Sequence, residues 1–381
     1  MNPAWINGNE GKTSLAADTI TTATYQARLT RVLAEMAKQG VDTLIVGPSA
    51  DLIYLTGFDA HVSERLNLLI IRQSGSLDFV APFFEVPVLG EHAGDLVTLH
   101  TWNDGEDPIA LAASKIEGKV AVGSWLASAF LIRLQHATSG DWIEAGPILK
   151  ELRMIKDEYE IEALQAAASR TDAAWEEFIV TASITGLTEV EARQILLDLT
   201  ARHGVFDPHG ICASGPNAAS PHHHTGDRKI QPGDAVIFDW GGTVDGYYSD
   251  VTRTVHVGEP GEEFIRCYDI VRRANQAALE AMVPGVPLES IDAAARDLIT
   301  KEGYGEAFLH RVGHGLGLEI HEDPYLVRGS GIALEPGMVF SDEPGIYLEG
   351  KFGIRIEDSV LATPEGGVRL NEGTRDLIVM K

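Results

Sequence analysis

The sequence predicts an α+β protein in which a smaller α/β domain precedes a larger α+β domain. Three observations predict it. At 381 residues the chain exceeds the usual size of one domain, which favours two. Its first 150 residues alternate strand-like and helix-like segments. Around residue 150 a heavily charged connector feeds a long helical period, and helices with largely antiparallel strand segments follow. The boundary falls near Leu152, giving domains of residues 1–152 and 153–381.

Taken in order, "YQARLTRVLAEMAKQG" has apolar positions at helical spacing and ends at Gly40, and "VDTLIVG" then reads as a short buried strand. "RLNLLIIRQSGSLDFVAP" places two apolar runs around a Ser-Gly-Ser turn, a hairpin. "KVAVGS" and "LASAFLIRLQHA" repeat strand then helix. Beyond the connector, "TEVEARQILLDLTARHG" opens with the pair Thr188 and Glu191, the spacing of a capping box, and closes at Gly204. Two further helices are predicted at about 261–282 and 288–302, with strands to the end.

Composition excludes several classes of function. Hydrophobic residues make up 44% and charged residues 23%, enough apolar material for a packed core and too much for disorder. A net charge of -26 repels nucleic acid and anionic lipid, so neither is an expected partner. Two cysteines, Cys212 and Cys267, support neither a disulfide scaffold nor a cysteine-based zinc site. The N-terminus "MNPAWINGNEGKTS" lacks the basic and apolar regions of a signal peptide, and no apolar run approaches the ~18 residues of a membrane span, so a cytoplasmic location is expected. "GNEGKTS" imitates a phosphate-binding loop, but the required glycine five residues before Gly11 is Ile6.

The chemistry concentrates in acids on apolar strands. In "DAVIFDWGGTVDGYYSDVTRT", Asp239 ends the run Ala235–Phe238, and Asp250 follows eleven residues later. Asp245-Gly246 is a hairpin signal. With that dipeptide at the centre of the turn, Asp239 faces Thr252 and Asp250 is a diagonal neighbour; with Val244-Asp245 there, the two acids face each other. Either register puts both on one face, where like charges in an apolar setting require a cation or a proton. A divalent metal meets that requirement, and so does a turn cap or a pair with Arg253. Glu343 ends another apolar run and is held extended by Pro344. In "FGIRIEDSVLA" the alternation puts Ile354 and Ile356 on one face and Arg355 and Glu357 on the other, where Arg355 is an ordinary partner for Glu357.

Histidines complete the set. "HRVGHGLGLEIHEDP" carries His310, His314 and His321 among glycines that permit close backbone approach, and "SGPNAASPHHHTG" carries His222, His223 and His224 in a loop. The first of these segments fits neither a dinucleotide fingerprint nor a zincin helix. Asp239, Asp250, His314, Glu343 and Glu357 together supply four carboxylates and one imidazole, nearly the charge of two divalent ions. Their oxygen-rich composition favours Mn, Co or Fe over a structural zinc and suits a two-metal centre that activates water.

At these residues the chain resembles the pita-bread metallopeptidases, in the proline-specific branch that contains Xaa-Pro dipeptidase (prolidase) and aminopeptidase P, with creatinase as a non-peptidase relative. The elements that carry the resemblance are "SGPNAASPHHH", "DWGGTVDGYYSDVTRT", "GHGLGLEIHEDP", "EPGMVFSDEPGIY" and "GIRIEDSV", in family order and spacing. "SADLIYLTGF" resembles the N-terminal domain of the same branch, which methionine aminopeptidases lack. The resemblance implies a pita-bread C-terminal domain behind a creatinase-like N-terminal domain. It implies that Asp239, Asp250, His314, Glu343 and Glu357 hold two divalent ions, Mn first, with Co, Fe or Zn as alternatives, and that Asp250 and Glu357 bridge.

By position, His222 would lie beside the substrate and assist proton movement, His321 would stabilise the oxyanion, and Arg355 would orient the bridging glutamate. Glu343 would also move the proton from attacking water to the leaving imino nitrogen. The expected reaction is hydrolysis of Xaa-Pro dipeptides by a hydroxide bridging the two metals. Alternatives are aminopeptidase P activity on longer peptides, a hydrolase or lyase of a small metabolite, and a binding module without chemistry. The expected partners are a small peptide substrate and a second copy of the chain. Some relatives place an arginine just after the His-Glu-x-Pro motif, where this chain has Tyr325, so the substrate carboxylate is assigned to Arg328 or His222.

Overall fold

The computed structural model describes residues 20–93 and 96–381. The phosphate-loop imitation "GNEGKTS" lies outside the described residues. The chain divides into two compact units, Met1–Arg153 and Met154–Lys381.

In the first unit, α1 (Thr22–Gln39) stops at Gly40, whose φ of 64° supplies the left-handed cap that other residues adopt at a cost. There follow β1 (Thr43–Val46), α2 (Ala50–Thr56), the hairpin of β2 (Leu68–Arg72) and β3 (Leu77–Pro82), then α3 (Val86–Ala93) and β4 (Thr98–Trp102). α4 (Pro108–Ala113), β5 (Val120–Val122), α5 (Ser128–Ala137), β6 (Trp142–Glu144) and α6 (Gly146–Met154) complete it. The strands form one six-stranded sheet in the order β4-β3-β2-β1-β5-β6. β1 pairs antiparallel with β2 and parallel with β5, so the sheet is mixed. Every residue of β1 is buried, as its continuous apolar run requires of a central strand.

The second unit opens with α7 (Glu158–Thr181) and α8 (Glu189–Arg202), each started by a reciprocal capping box, Asp157 with Glu160 and Thr188 with Glu191. β7 (Phe206–Ser214), β8 (Ala235–Val244) and β9 (Tyr247–Val257) follow, then α9 (Glu262–Ala281) and α10 (Leu288–Lys301). The remaining strands are β10 (Gly313–Gly315), β11 (Glu322–Leu326), β12 (Val339–Asp342), β13 (Gly345–Leu348), β14 (Phe352–Arg355), β15 (Asp358–Thr363), β16 (Gly366–Arg369) and β17 (Ile378–Met380). They build sheets ordered β17-β9-β8-β7 and β11-β10-β12-β15-β16, with β13 and β14 as a separate pair.

The β8–β9 hairpin resolves the register left open by the sequence. Asp245 and Gly246 both have positive φ, 56° and 84°, and Val244 pairs with Tyr247, so the dipeptide is the centre of a tight turn. Asp239 therefore faces Thr252, and Asp250 faces Gly241. Alternation sends Phe238 and Trp240 to the opposite face from Asp239, where α7 covers them. Trp175 and Trp240 have ring centroids 4.9 Å apart, and Phe178 meets Phe238 at 5.0 Å. Such pairs each add about 0.5–1.5 kcal/mol beyond their buried area. The second sheet is backed by α9 and α10, whose Ile270, Val271 and Ile291 share a core with Phe340, Ile354 and Ile356. Among the described residues no helix is long and apolar enough to cross a membrane.

Candidate metal centre

Asp250, His314 and Glu357 are all buried, and each offers one donor atom within 4.8 Å of the other two. Asp250 arrives from β9 and His314 from β10, while Glu357 sits between β14 and β15. The amide of Glu357 donates to Thr252 O at 3.1 Å, which bridges this segment to β9. Glu343, just beyond β12, brings Oε1 to 3.4 Å from His314 Nε2, and its amide donates to Val312 O. Asp239 lines the same cavity and has its Oδ2 held at 2.6 Å by Arg355 Nη2. All five residues singled out in the sequence thus converge on one cavity of about 660 Å³.

The local chain explains how backbones come this close. A Cβ on Gly241 would strike Ser249 O, and one on Gly313 would strike Ser341 O. Gly241 stands opposite Asp250 and Gly313 precedes His314, so beside the acid and the imidazole neighbouring strands approach at a spacing that only a missing side chain permits.

His314 Nδ1 lies 3.0 Å from Gly315 O and must donate to it, which leaves Nε2 as a bare lone pair. That lone pair faces Asp250 Oδ2 at 3.5 Å and Glu343 Oε1 at 3.4 Å, an acceptor turned toward acceptors. Burial, then the neighbouring Asp239 and Glu343, push the Asp250 carboxyl well above the usual range. Burial, then Asp250, does the same to Glu357. Burial raises Glu343 to about 7 against the opposing pull of Arg355, with Asp239 adding to the rise. Burial, then His321, lowers His314 to about 3. Carboxylates driven toward protonation around an imidazole driven away from it need positive charge between them, and this donor set fits divalent cations.

A second layer orders these donors. Thr252 Oγ1 donates to Glu357 Oε2 at 2.5 Å and accepts from Arg355 Nε at 3.0 Å. Arg355 Nη1 donates to the Tyr347 hydroxyl at 2.9 Å, and that hydroxyl lies 2.8 Å from His310 Nε2. Because His310 Nδ1 donates to Arg311 O at 2.8 Å, Nε2 accepts and every hydrogen in the chain is assigned. Burial, then Arg355, holds His310 near 4, so it is neutral.

Of the three loop histidines, His222 lines the cavity, while His223 turns to Glu189 at 2.9 Å. His321 lines the cavity with its ring centroid 4.2 Å from that of His314. Arg328 is exposed and outside the cavity lining. Arg311 lines the wall instead, with its guanidinium 4.3 Å above the ring of Tyr325. Of the two residues assigned to the substrate carboxylate, His222 lines the cavity, whereas Arg328 lies two residues beyond the end of β11 and outside the lining, and Tyr325 within β11 reaches Arg311. Sequence reading also passed over Tyr347 and the orienting role of Thr252. The period of β9 places Thr252 and Thr254 on the face of Asp250 and was the available signal for the latter. No local signal pointed to Tyr347.

Comparison with known proteins gives the family. Residues 162–364 match the model of metallopeptidase family M24, and residues 28–155 match the creatinase/prolidase N-terminal domain. A probable dipeptidase PepE of Mycobacterium tuberculosis is 39% identical over 366 residues, 93% of this chain and 96% of that one. The crystal structure of dipeptidase PepE from Mycobacterium ulcerans superposes with a TM-score of 0.89 at 38% identity, covering 94% of this chain and 99% of the other. A recombinant prolidase from Thermococcus sibiricus gives a TM-score of 0.88 at 38% identity, covering 93% and 99%. A buried acid-and-imidazole cluster, the two matched domains and this likeness along nearly the whole chain lead to one conclusion: the chain belongs to metallopeptidase family M24, in its pita-bread, proline-specific branch.

Proposed function

We propose that the protein is an Xaa-Pro dipeptidase whose five buried donors, Asp239, Asp250, His314, Glu343 and Glu357, hold two divalent cations. The observation that carries the reading is the bare Nε2 of His314 facing carboxylate oxygens of Asp250 and Glu343 in a cavity of about 660 Å³. When bound, such a pair of cations lowers the pKa of a water and polarises the scissile carbonyl. The oxygen-rich donor set favours manganese. A cytoplasmic location and a homodimer belong to the same proposal and rest on the family resemblance.

The chain's own residues supply the rest. The nitrogen of an Xaa-Pro bond carries no hydrogen, so it leaves only when a placed acid protonates it. Glu343, on the wall and accepting from Ser341 Oγ at 3.3 Å, takes the proton of the attacking water and returns it to that nitrogen. His321 and His222 both line the cavity, which supports a role for the first in donating to the developing oxyanion and for the second in assisting the proton transfer. Arg355 holds Asp239 directly and reaches Glu357 through Thr252. Arg311, stacked on Tyr325, takes the free carboxylate of the dipeptide. Tyr325 stands where some relatives carry an arginine, and here that ring serves as the platform for an arginine from the segment that leads into β10.

The test is a panel of Gly-Pro, Leu-Pro and an Xaa-Pro-Xaa tripeptide against protein loaded with Mn, Co or Zn. Dipeptide turnover above the tripeptide supports the reading, and the reverse order makes the protein an aminopeptidase. Failure to turn over any of them sinks the peptidase assignment. Arg311→Ala should raise KM for dipeptides about 10- to 100-fold with a smaller effect on kcat.

A further inference from the structure

We propose that Glu189 is a positioning residue for the reaction, one whose buried carboxylate folds the loop that carries His222 and so sets where that imidazole stands in the cavity. The inference rests on His222 assisting proton transfer. Glu189 is the first residue of α8 and does not line the cavity, and its side chain is fully enclosed. Its two oxygens accept five hydrogen bonds. Oε1 accepts from Ser214 N at 2.8 Å, Ser214 Oγ at 2.7 Å and Asn217 Nδ2 at 3.0 Å. Oε2 accepts from His223 Nε2 at 2.9 Å and Gly226 N at 3.1 Å.

These donors enclose His222 from both sides along the chain, and one of them is its immediate neighbour. Only an ionised carboxylate, with about four lone-pair sites and no hydrogen, answers such a ring of donors. Arg228 Nη1 donates to Ser214 Oγ at 2.7 Å, which commits the serine hydrogen to Glu189. The start of α8 also favours negative charge. On its other side the loop meets β14, where Gly353 leaves room for Ala218 O that a Cβ would occupy. The loop is therefore clamped between α8 and the strand that ends in Arg355, and His222 projects from the clamped part into the cavity.

Glu189→Gln keeps the shape and turns one acceptor into a donor facing donors. Alongside it, His222→Ala and the double variant are assayed on an Xaa-Pro dipeptide with Mn-loaded protein. Fold is checked by circular dichroism, and bound Mn is measured. Glu189→Gln is expected to fold and retain its Mn while kcat falls about 10- to 100-fold. In the His222→Ala background the same change is expected to cost less than about twofold. An equal loss in both backgrounds, or an unchanged kcat in the single variant, overturns the proposal.

His223→Ala is expected to lower kcat in the same direction and His223→Gln, which restores a donor at the same place, to recover it; these variants carry the test should Glu189→Gln not fold. Wild-type kcat in His222→Ala would sink the role of His222 instead. The claim on Glu189 then stands or falls on whether the His222 imidazole resonances, identified by their loss in His222→Ala, move in Glu189→Gln.

Discussion

Among the described residues Asp250 has no ordinary partner: its second oxygen faces the lone pair of His314, and both burial and neighbouring acids oppose its charge. Without cations the cluster is a local destabilisation, so removing one charge relieves it. Metal-free Asp250→Asn is expected to melt at or above the temperature of the metal-free parent. It should also lose the thermal gain on adding Mn, with kcat/KM down at least about 100-fold. Melting curves with and without Mn check this, and a metal-free variant clearly less stable than the parent would contradict it.

The sign of the pH dependence follows from the same acids. Glu343 stands near 7 against an ordinary 4.5, and Asp250 and Glu357 are raised as well, so the folded metal-free chain holds protons that the unfolded chain releases. The stability linked to Glu343 is present at low pH and is lost as pH rises from about 4.5 through about 7, and the shifts of Asp250 and Glu357 act in the same direction. Cations must displace those protons. The Mn-induced rise in melting temperature is therefore expected to be large at pH 8 and to shrink toward pH 5.5, as titrations at several pH values would measure.

At the scale of elements, the β8–β9 hairpin fixes which face the acids share. Its turn needs positive φ at Asp245 and Gly246, and aspartate tolerates that geometry far better than a bulkier side chain. Gly246→Ala is expected to cost about 1–2 kcal/mol, measured by denaturant unfolding, without moving the register set by ten paired positions. The side-chain bond from Thr252 Oγ1 to Glu357 Oε2, beside the backbone bridge between the same residues, then ties this hairpin to the segment between β14 and β15 at the metal cluster. Thr252→Val removes it along with the acceptor for Arg355 Nε and should weaken Mn binding about 10- to 100-fold by isothermal titration, with only a modest loss of stability.

At the scale of the molecule, all five donors belong to the second unit, and the first has a separate core built on Ile45, Leu68, Ile70 and Val80. A ligand stabilises the part of the structure that must stay folded to bind it. Mn is therefore expected to raise hydrogen-exchange protection in β8, β9 and β12 well above any change in β1 and β2. Equal protection in both units would show that the site is not confined to the second. A charge of -26 adds a general repulsion of polyanions, in keeping with a small substrate, and says nothing of where the charges meet.

Much of this was legible along the chain because its causes are local. Helix stops at Gly40, the capping box of Thr188 and Glu191, and the alternation that sets Asp239 against Phe238 and Trp240 are properties of a few neighbouring residues. So were the acids on apolar strands, since a charge in such a run demands a counter-charge wherever the strand is buried. The fold decided the partners. That Asp239 faces Thr252, that Arg311 rather than Arg328 reaches the cavity, and that Glu189 gathers the His222 loop all depend on segments brought together from distant parts of the chain. Periodicity tells which side of a strand or helix a residue occupies, but only the packing of one element on another determines what stands across from it.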